Sequence, residues 1–365
     1  MIRVGINARA LTKPNPGGVS RYTYNLLLAL AKQPTDTEIG YIVFGLDTLP
    51  EALSEYECVR SANEPTLAHS GVKAHLWEQM VLPRAIARHD LDLFHTLAGQ
   101  PPLYATVPLI TTIHDISPIT HPEWFSGGYA ALYRVLTPLA VRASTRITTV
   151  SAFAKHEIET EYPAALGKIS AIHNGFTPPR SDGTPVEKVR DERFLLFVGA
   201  ANRRKNLSTL LRSYRQYRRR VANPVSLVLA GPERDIFSEE SFEPTTGVKA
   251  LGFVPDSQLD WLYHHAVAFV FPSLYEGFGL PILEAMSAGT PVITSNRGAM
   301  AEVAGEAAHL VDPSRPERIA DAIERVVTDN AYHRSLTEAG RDRATSFSWK
   351  WTAEQTIEVY RTVLD

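Results

Sequence analysis

This chain is poor in several features, and each shortage closes off a class of protein. Cys58 is its single cysteine, so no internal disulfide can staple the fold, which fits a reducing cytoplasm. No apolar run approaches the roughly 20 residues that cross a bilayer. The amino terminus carries charge without the apolar core of a secretory signal behind it, so no export is expected. A formal net charge of −3 supplies no basic excess for a whole-protein role on nucleic acid. There is no low-complexity tract and no sequence repeat. Asp90-Leu91-Asp92 has the spacing of a metal-binding acid pair, but it leads into a buried strand and no other ligand cluster stands out. Neither a metal nor a cofactor is therefore expected.

What is present is an alternation. The 365 residues exceed the size at which one core usually stops growing, so two domains are expected, and 44% hydrophobic with 21% charged residues is ordinary for globular chains. Short buried strands are expected at 3–7, 39–44, 91–95, 109–114, 146–151 and 169–173. A second series follows at 194–199, 226–230, 248–251, 267–271, 292–295 and 309–311. Helical periodicity fills many of the gaps, as at 20–32 and 316–329. This describes an α/β chain of two doubly wound parallel-sheet domains. Between the two series, 176–193 holds Pro178, Pro179, Gly183 and Pro185 among charges and reads as the linker. The first domain is expected over 1–175 and the second over 176–349, linker included. Ligands of such sheets bind beyond the carboxyl ends of the strands, so two sheets facing each other would line one cleft.

Two other stretches have plain readings. The basic run 212–220 holds Tyr214 and Tyr217 and reads as the solvated face of a helix. The stretch 75–89 mixes Leu76, Trp77, Met80, Val81 and Leu82 with Arg84, Arg88 and His89, so an anionic membrane surface or the core could take it. Pro83 interrupts it.

The most informative segment is Tyr275-Glu276-Gly277-Phe278-Gly279-Leu280-Pro281-Ile282-Leu283-Glu284. It follows a buried strand and opens a helix. Pro281 suits the first turn, Gly289 the left-handed position past the end, and Pro291 stops continuation. Backbone N–H groups around Phe278, Gly279 and Leu280 then make an anion site at the helix start. Glu276 is expected in a mobile loop, able to reach a polar ligand above that site. Glu284 sits about one turn into the helix and can accept two hydroxyls of a ribose. Diphosphate, ribose and sugar together describe a nucleotide sugar. Arg203, Arg204 and Lys205 follow the strand at 194–199, where cations can neutralise a diphosphate. Gly17 and Gly18 follow the first strand, where backbone can approach a phosphate or sugar closely; an ordinary turn explains them equally.

The Glu-x7-Glu spacing inside Tyr-Glu-Gly-Phe-Gly-Leu-Pro resembles family 4 of the retaining glycosyltransferases, of the two-domain GT-B fold. The resemblance continues through Pro16-Gly17-Gly18-Val19, Thr112-Ile113-His114-Asp115, Val150-Ser151-Ala152-Phe153-Ala154-Lys155, Asn174-Gly175 and Arg204-Lys205-Asn206. His75-Leu76-Trp77-Glu78-Gln79 and Thr111-Thr112-Ile113-His114-Asp115-Ile116-Ser117 look like the branch that builds bacterial surface polysaccharides, in which mannosyl transfer from GDP-mannose is common. The likeness implies that His114 hydrogen-bonds the donor sugar, with Asp115 orienting it or capping the next segment. It implies that Gly17 and Gly18 close over the reacting centre from the acceptor side. The family commonly has an arginine directly after the glycine of the strand at 194–199, where this chain has Ala200; Arg204 would take over that role beside Lys205.

A metal-independent, retaining hexosyl transfer to a saccharide or lipid-linked saccharide acceptor is the function implied. The diphosphate leaves from the face the acceptor enters, and Glu276 positions the sugar and its charge. The enzyme would work in the cytoplasm, with peripheral contact at the inner membrane surface open and oligomeric state undetermined. A nucleotide-sugar epimerase of the same architecture and a non-enzymatic sugar-binding protein are the alternatives. The last segment, with Ser348 as N-cap and Ile357, Tyr360 and Leu364 on one helical face, reads as a helix over 352–365. The resemblance implies that it packs back on the first domain.

Overall fold

The computed structural model describes the chain except residues 13–16, 35–38, 65–70, 99, 201 and 232–245. The chain forms two compact units, Met1–Gly175 with Ser348–Asp365, and Phe176–Phe347. Each is built on an all-parallel sheet.

In the first unit the strands are β1 (Ile2–Asn7), β2 (Ile39–Phe44), β3 (Val59–Ser61), β4 (Leu93–Thr96), β5 (Leu109–Thr112), β6 (Arg146–Thr149) and β7 (Ile169–Ala171), in the order β3-β2-β1-β4-β5-β6-β7. In the second they are β8 (Phe194–Val198), β9 (Ser226–Ala230), β10 (Val248–Gly252), β11 (Ala268–Phe271), β12 (Val292–Ser295) and β13 (His309–Val311), in the order β10-β9-β8-β11-β12-β13. Both sheets therefore reverse direction of growth beside their first strand. Such a reversal opens a crevice at the carboxyl ends of the strands, between β1 and β4 in one unit and β8 and β11 in the other.

Parallel strands carry helices on both faces, so central strands are apolar throughout. Phe194–Val198 and Ala268–Phe271 show this, buried almost end to end. Leu195, Phe197, Leu210, Tyr214, Leu227, Val270 and Ile323 make the main core of the second unit. The tyrosines of the 212–220 run face that core, Tyr214 donating to the Val225 carbonyl at 2.9 Å, while Arg212, Arg219 and Arg220 are exposed. The stretch 75–89 also divides. A π turn, Trp77–Val81, joins two helices, with Pro83 in the first turn of the second. Trp77, Leu82, Ala85 and Ile86 fill the core, leaving Leu76 and Met80 exposed.

Ser348 caps the final helix, Trp349–Leu364, accepting the Trp351 N–H at 3.1 Å. That helix packs on the Gly18–Lys32 helix, and Thr352 Oγ1 donates to the His173 carbonyl at 2.9 Å. Gly175 is required where the chain passes this helix: a Cβ there would lie 2.1 Å from the Trp349 nitrogen. The helix also reaches the sheet. Tyr360, wholly buried, meets His95 Nδ1 on β4 at 2.8 Å, and His95 Nε2 meets Thr112 Oγ1 on β5 at 2.9 Å. Burial, with His114 nearby, takes the His95 pKa down to about 3, so the ring stays neutral.

Tyr360→Phe should therefore leave a buried imidazole nitrogen unsatisfied, at a cost of about 1–3 kcal/mol. Amide exchange on β4 and β5 is the readout, because a chain of two units need not unfold in one step. Unchanged protection there would mean that the bond contributes nothing.

Candidate functional site

The loops after β8 and β11 carry most of the charged residues singled out in the sequence. After β8, Asn202 accepts the Lys205 N–H at 3.1 Å and closes a 3₁₀ turn, Arg203–Lys205. Asn206 follows in the left-handed conformation, φ 58°, and its amide donates to the carbonyls of Pro272 (3.0 Å) and Pro313 (2.7 Å). The Leu274 N–H donates to the Arg204 carbonyl at 2.8 Å. These bonds stitch the basic turn to the loop after β11. Gly199 makes room for it: at φ +144° a Cβ would lie 3.3 Å from Lys205 Cε.

Glu276 closes the cluster. Lys205 Nζ lies 2.7 Å from its Oε1, and Arg204 Nη1 lies 3.2 Å from its Oε2. Lys205 also stands 4.4 Å over the Phe271 ring. The expectation of a mobile arm is corrected here, since Glu276 is only 7% exposed and held by both cations. Burial pushes its carboxyl up, but Lys205 and Arg204 together pull it below the usual range. Lys205 goes the other way for its own reason: burial lowers the ammonium, and Glu276 restores part of the loss. Two cations around one enclosed acid keep that acid ionised. The cluster is a buried charge group in which Glu276 is the counterion of both bases.

From Glu276 the chain turns into the Leu280–Ala288 helix. Gly279 caps it at φ +118°, a conformation other residues rarely adopt, Pro281 lies in the first turn, and Gly289 ends it at φ 84°. Phe278 anchors the turn, buried, with its ring centroid 5.9 Å from that of Phe347. Leu280 is the first helical residue. Glu284, half-buried within the helix, accepts the Tyr263 hydroxyl at 2.7 Å through Oε2, and its charge also acts on Lys205. The sequence reading missed Tyr263 and the role of Asn206. Neither carries a local signal: Tyr263 lies on another helix, and Asn206 shows its purpose only once its two carbonyl partners are near.

The remaining residues of the reading belong to the first unit. His114 lies two residues beyond β5, with Nε2 3.0 Å from the Leu97 carbonyl and the Tyr22 ring edge-on at 4.6 Å. A carbonyl can only accept, so Nε2 holds the hydrogen and Nδ1 is an acceptor. Burial lowers the His114 pKa, with Leu97 and Asp115 opposing less strongly, and the ring is neutral. Asp115 Oδ1 accepts the backbone N–H (2.9 Å) and hydroxyl (2.6 Å) of Ser117, capping the following turn. Gly17 is the N-cap of the Gly18–Lys32 helix, and a Cβ on Gly17 or Gly18 would meet nothing within 4 Å. The described residues thus give no steric reason for glycine there. Pro16 lies outside the described residues. Asp90 and Asp92 are both used by Arg3, through its guanidinium (2.5 Å) and its backbone N–H (2.7 Å).

Comparison with known proteins agrees along the chain. The model of Glycosyltransferase Family 4 matches residues 16–180, and that of Glycosyl transferases group 1 matches 184–343. O-antigen chain mannosyltransferase B of Escherichia coli is 29% identical, over 94% of this chain and 96% of its own length. An uncharacterized glycosyltransferase of Methanocaldococcus jannaschii is 30% identical over 71% of this chain and 70% of its own. Sucrose-phosphate synthase from Thermosynechococcus elongatus superposes with a TM-score of 0.75 at 21% identity, covering 100% of this chain and 99% of that one. Anabaena HepE, solved in complex with UDP-glucose, gives 0.68 at 20% identity, covering 99% and 100%.

Glu276→Gln should destabilise the second unit by roughly 3–5 kcal/mol at neutral pH, because Lys205 and Arg204 lose a common buried counterion. The folded pKa of Glu276 lies below its unfolded value of about 4.3, so the contribution is complete above that pH and fades as pH falls through the folded value. Denaturation of wild type and variant from pH 7 to pH 3 should show the two converging only at the acid end. A constant gap would refute the assignment.

Proposed function

The chain belongs to glycosyltransferase family 4, with the GT-B fold, and we propose that it is a retaining enzyme that moves mannose from GDP-mannose to a saccharide or lipid-linked saccharide acceptor. One observation supports this most: Glu276, Lys205 and Arg204 meet at the carboxyl ends of β8 and β11, with Glu284 about one turn into the helix that follows. The second unit is then the nucleotide-sugar side, and the first, with its terminal helix, the acceptor side. The preference for mannose comes from the named activity of the Escherichia coli relative, while the UDP-glucose of HepE is the competing donor chemistry.

The donor binds by exchange of counterions. In the free chain Glu276 neutralises Lys205 and Arg204. An arriving diphosphate, also met by backbone N–H groups at Phe278, Gly279 and Leu280, takes over both cations. Glu276 is thereby released toward the sugar, where it orients hydroxyls and offsets positive charge on the ring carbon. Glu284, steadied by Tyr263, accepts the ribose hydroxyls. His114 accepts a sugar hydroxyl at Nδ1 and, being neutral, does no general-base work. Gly17 and Gly18 give the acceptor side a helix start without side chains. Departure of the diphosphate on the face of acceptor entry, with its oxygen taking the hydroxyl proton, accounts for retention without an enzyme nucleophile. No helix of the described residues is long and apolar enough to cross a membrane. The proposed setting is the cytoplasm, with peripheral contact at the inner membrane surface.

Titration calorimetry with GDP, UDP, dTDP and ADP tests the reading, and GDP should bind tightest. Glu284→Ala should weaken that binding by about 2–4 kcal/mol through the lost charge-assisted bonds. Glu276→Ala should leave it equal or tighter, since two cations lose their internal counterion. The reverse order of effects would remove both assignments. Transfer activity should also persist in EDTA; loss on chelation with recovery on Mg²⁺ or Mn²⁺ would overturn metal independence.

A further inference from the structure

The second unit carries a cavity of about 570 Å³ that none of the donor residues line. It lies against β13, the edge strand of the second sheet, and the Pro316–Thr328 helix. Its volume falls in the range of sites for small organic ligands. In the sheet order, β12 separates this edge from β8 and β11, which carry the donor cluster.

The charges of its wall lie along one line. Arg318, Asp321 and Arg325 are spaced i, i+3 and i+7, so they share one face of the helix. At 1.5 Å of rise per residue, the two arginines are about 10 Å apart along the axis, with the acid between them. Arg315 precedes the helix and joins Arg318 at the near end. Both acids of the wall are matched by cations that do not line it. Asp312 pairs with Arg297 at 2.8 Å and accepts the Ser314 N–H at 2.9 Å, and Asp321 pairs with Arg220 at 2.5 Å. The arginines are less committed. Among the described residues the Arg318 side chain has no partner, and Arg315 comes no nearer to Asp312 than 3.7 Å. Arg325 lies over the Tyr332 ring at 3.8 Å, which leaves the N–H edge of its guanidinium for a ligand. Between these ends the wall is polar. The Asn296 N–H donates to the Val311 carbonyl, so Val311 faces β12 and Leu310, one residue back, turns its own N–H and C=O off the edge. His309 gives Nδ1 to the Tyr332 hydroxyl at 3.0 Å, and burial, with Arg325 nearby, holds its pKa down and the ring neutral.

We propose that this pocket is a second ligand site, for a small hydroxylated molecule with a phosphate at each end, such as a sugar bisphosphate. One phosphate sits between Arg315 and Arg318, and the other meets Arg325. The hydroxyls between them face Asp321 and the Leu310 backbone. A guanidinium fork fits phosphate oxygens two at a time, which a point charge does not. A single phosphate uses one end only, and a neutral sugar gains nothing from either. Binding here needs no residue of the donor cluster, so it stands whether or not the donor is a nucleotide sugar.

Titration calorimetry on the full chain tests it, with fructose 1,6-bisphosphate, fructose 6-phosphate and fructose as probes, each with and without excess GDP. The bisphosphate should bind tightest, the monophosphate about 10-fold more weakly, and fructose not measurably. Arg318→Ala removes an exposed side chain that has no partner among the described residues, so the fold is not at stake, and it should weaken the bisphosphate about 10-fold. Arg325→Ala should bring the bisphosphate down to the affinity of the monophosphate. GDP should displace neither phosphate. Displacement by GDP, with indifference to both substitutions, would put the phosphates on the donor cluster and overturn the proposal. Equal binding of the two phosphates to the unaltered chain, or no binding of the bisphosphate at millimolar concentration, would overturn it as well.

Discussion

Every described strand pairing in this protein is parallel, and the rest of the structure follows from that constraint. Parallel strands all end on the same edge, so the loops that leave them collect there whatever their sequences. Where growth of the sheet changes direction, two neighbouring loops diverge and leave a crevice. In the second unit this brings the cations after β8 to the acid after β11. In the first it gathers Arg9 from beyond β1, Gln100 from beyond β4 and His114 from beyond β5 around one pocket. Residues as far apart in sequence as Arg204 and Glu276, or Arg9 and His114, become neighbours because of strand order alone.

Each unit also encloses a glutamate paired with basic side chains, and the two are held in different ways. Glu78 is sealed, with Arg9 along one oxygen and His75 near the other, and its charge fixes local shape. Glu276 lies at the mouth of a helix N-terminus, where its cations suit a diphosphate as well as a carboxylate. A buried ion pair adds little net stability compared with apolar packing, but removing one partner is expensive. The first arrangement exploits the expense as rigidity. On the proposed reading, the second keeps a cationic site from standing unbalanced before the diphosphate arrives.

Much of the fold was legible because buried parallel strands are short apolar runs. The bounds of β2, β9, β12 and β13 were read as found, and most others within one or two residues. Those that ran long, at 109–114 and 146–151, continued through one more apolar residue, Ile113 or Val150, into His114 and the helix cap Ser151. β3 was missed: only three residues long, with Val59 its one buried side chain, it has no run to detect. Among the site residues, the glycine and proline pattern around Glu276 and Glu284 revealed strand, turn and helix. The immobility of Glu276 was not legible, because its partners come from a different loop. The same holds for Arg9, Glu78 and His75, whose spacing signals nothing until β1 and the π turn are brought together.

The division of the chain has a consequence for its making. Ser348–Asp365 belongs to the first unit, yet it leaves the ribosome after the whole second unit. Of the two units, the one begun first is therefore finished second. Until Tyr360 arrives, His95 Nδ1 lacks its Tyr360 partner, and the surface that takes Ala353 and Ile357 stands open while the whole second unit is synthesised. Domains generally fold as they emerge, and transiently exposed apolar surface is where misassembly starts. A chain cut short just after Phe347 thus has a complete second unit and an incomplete first, and the damaged half is the one that was translated first.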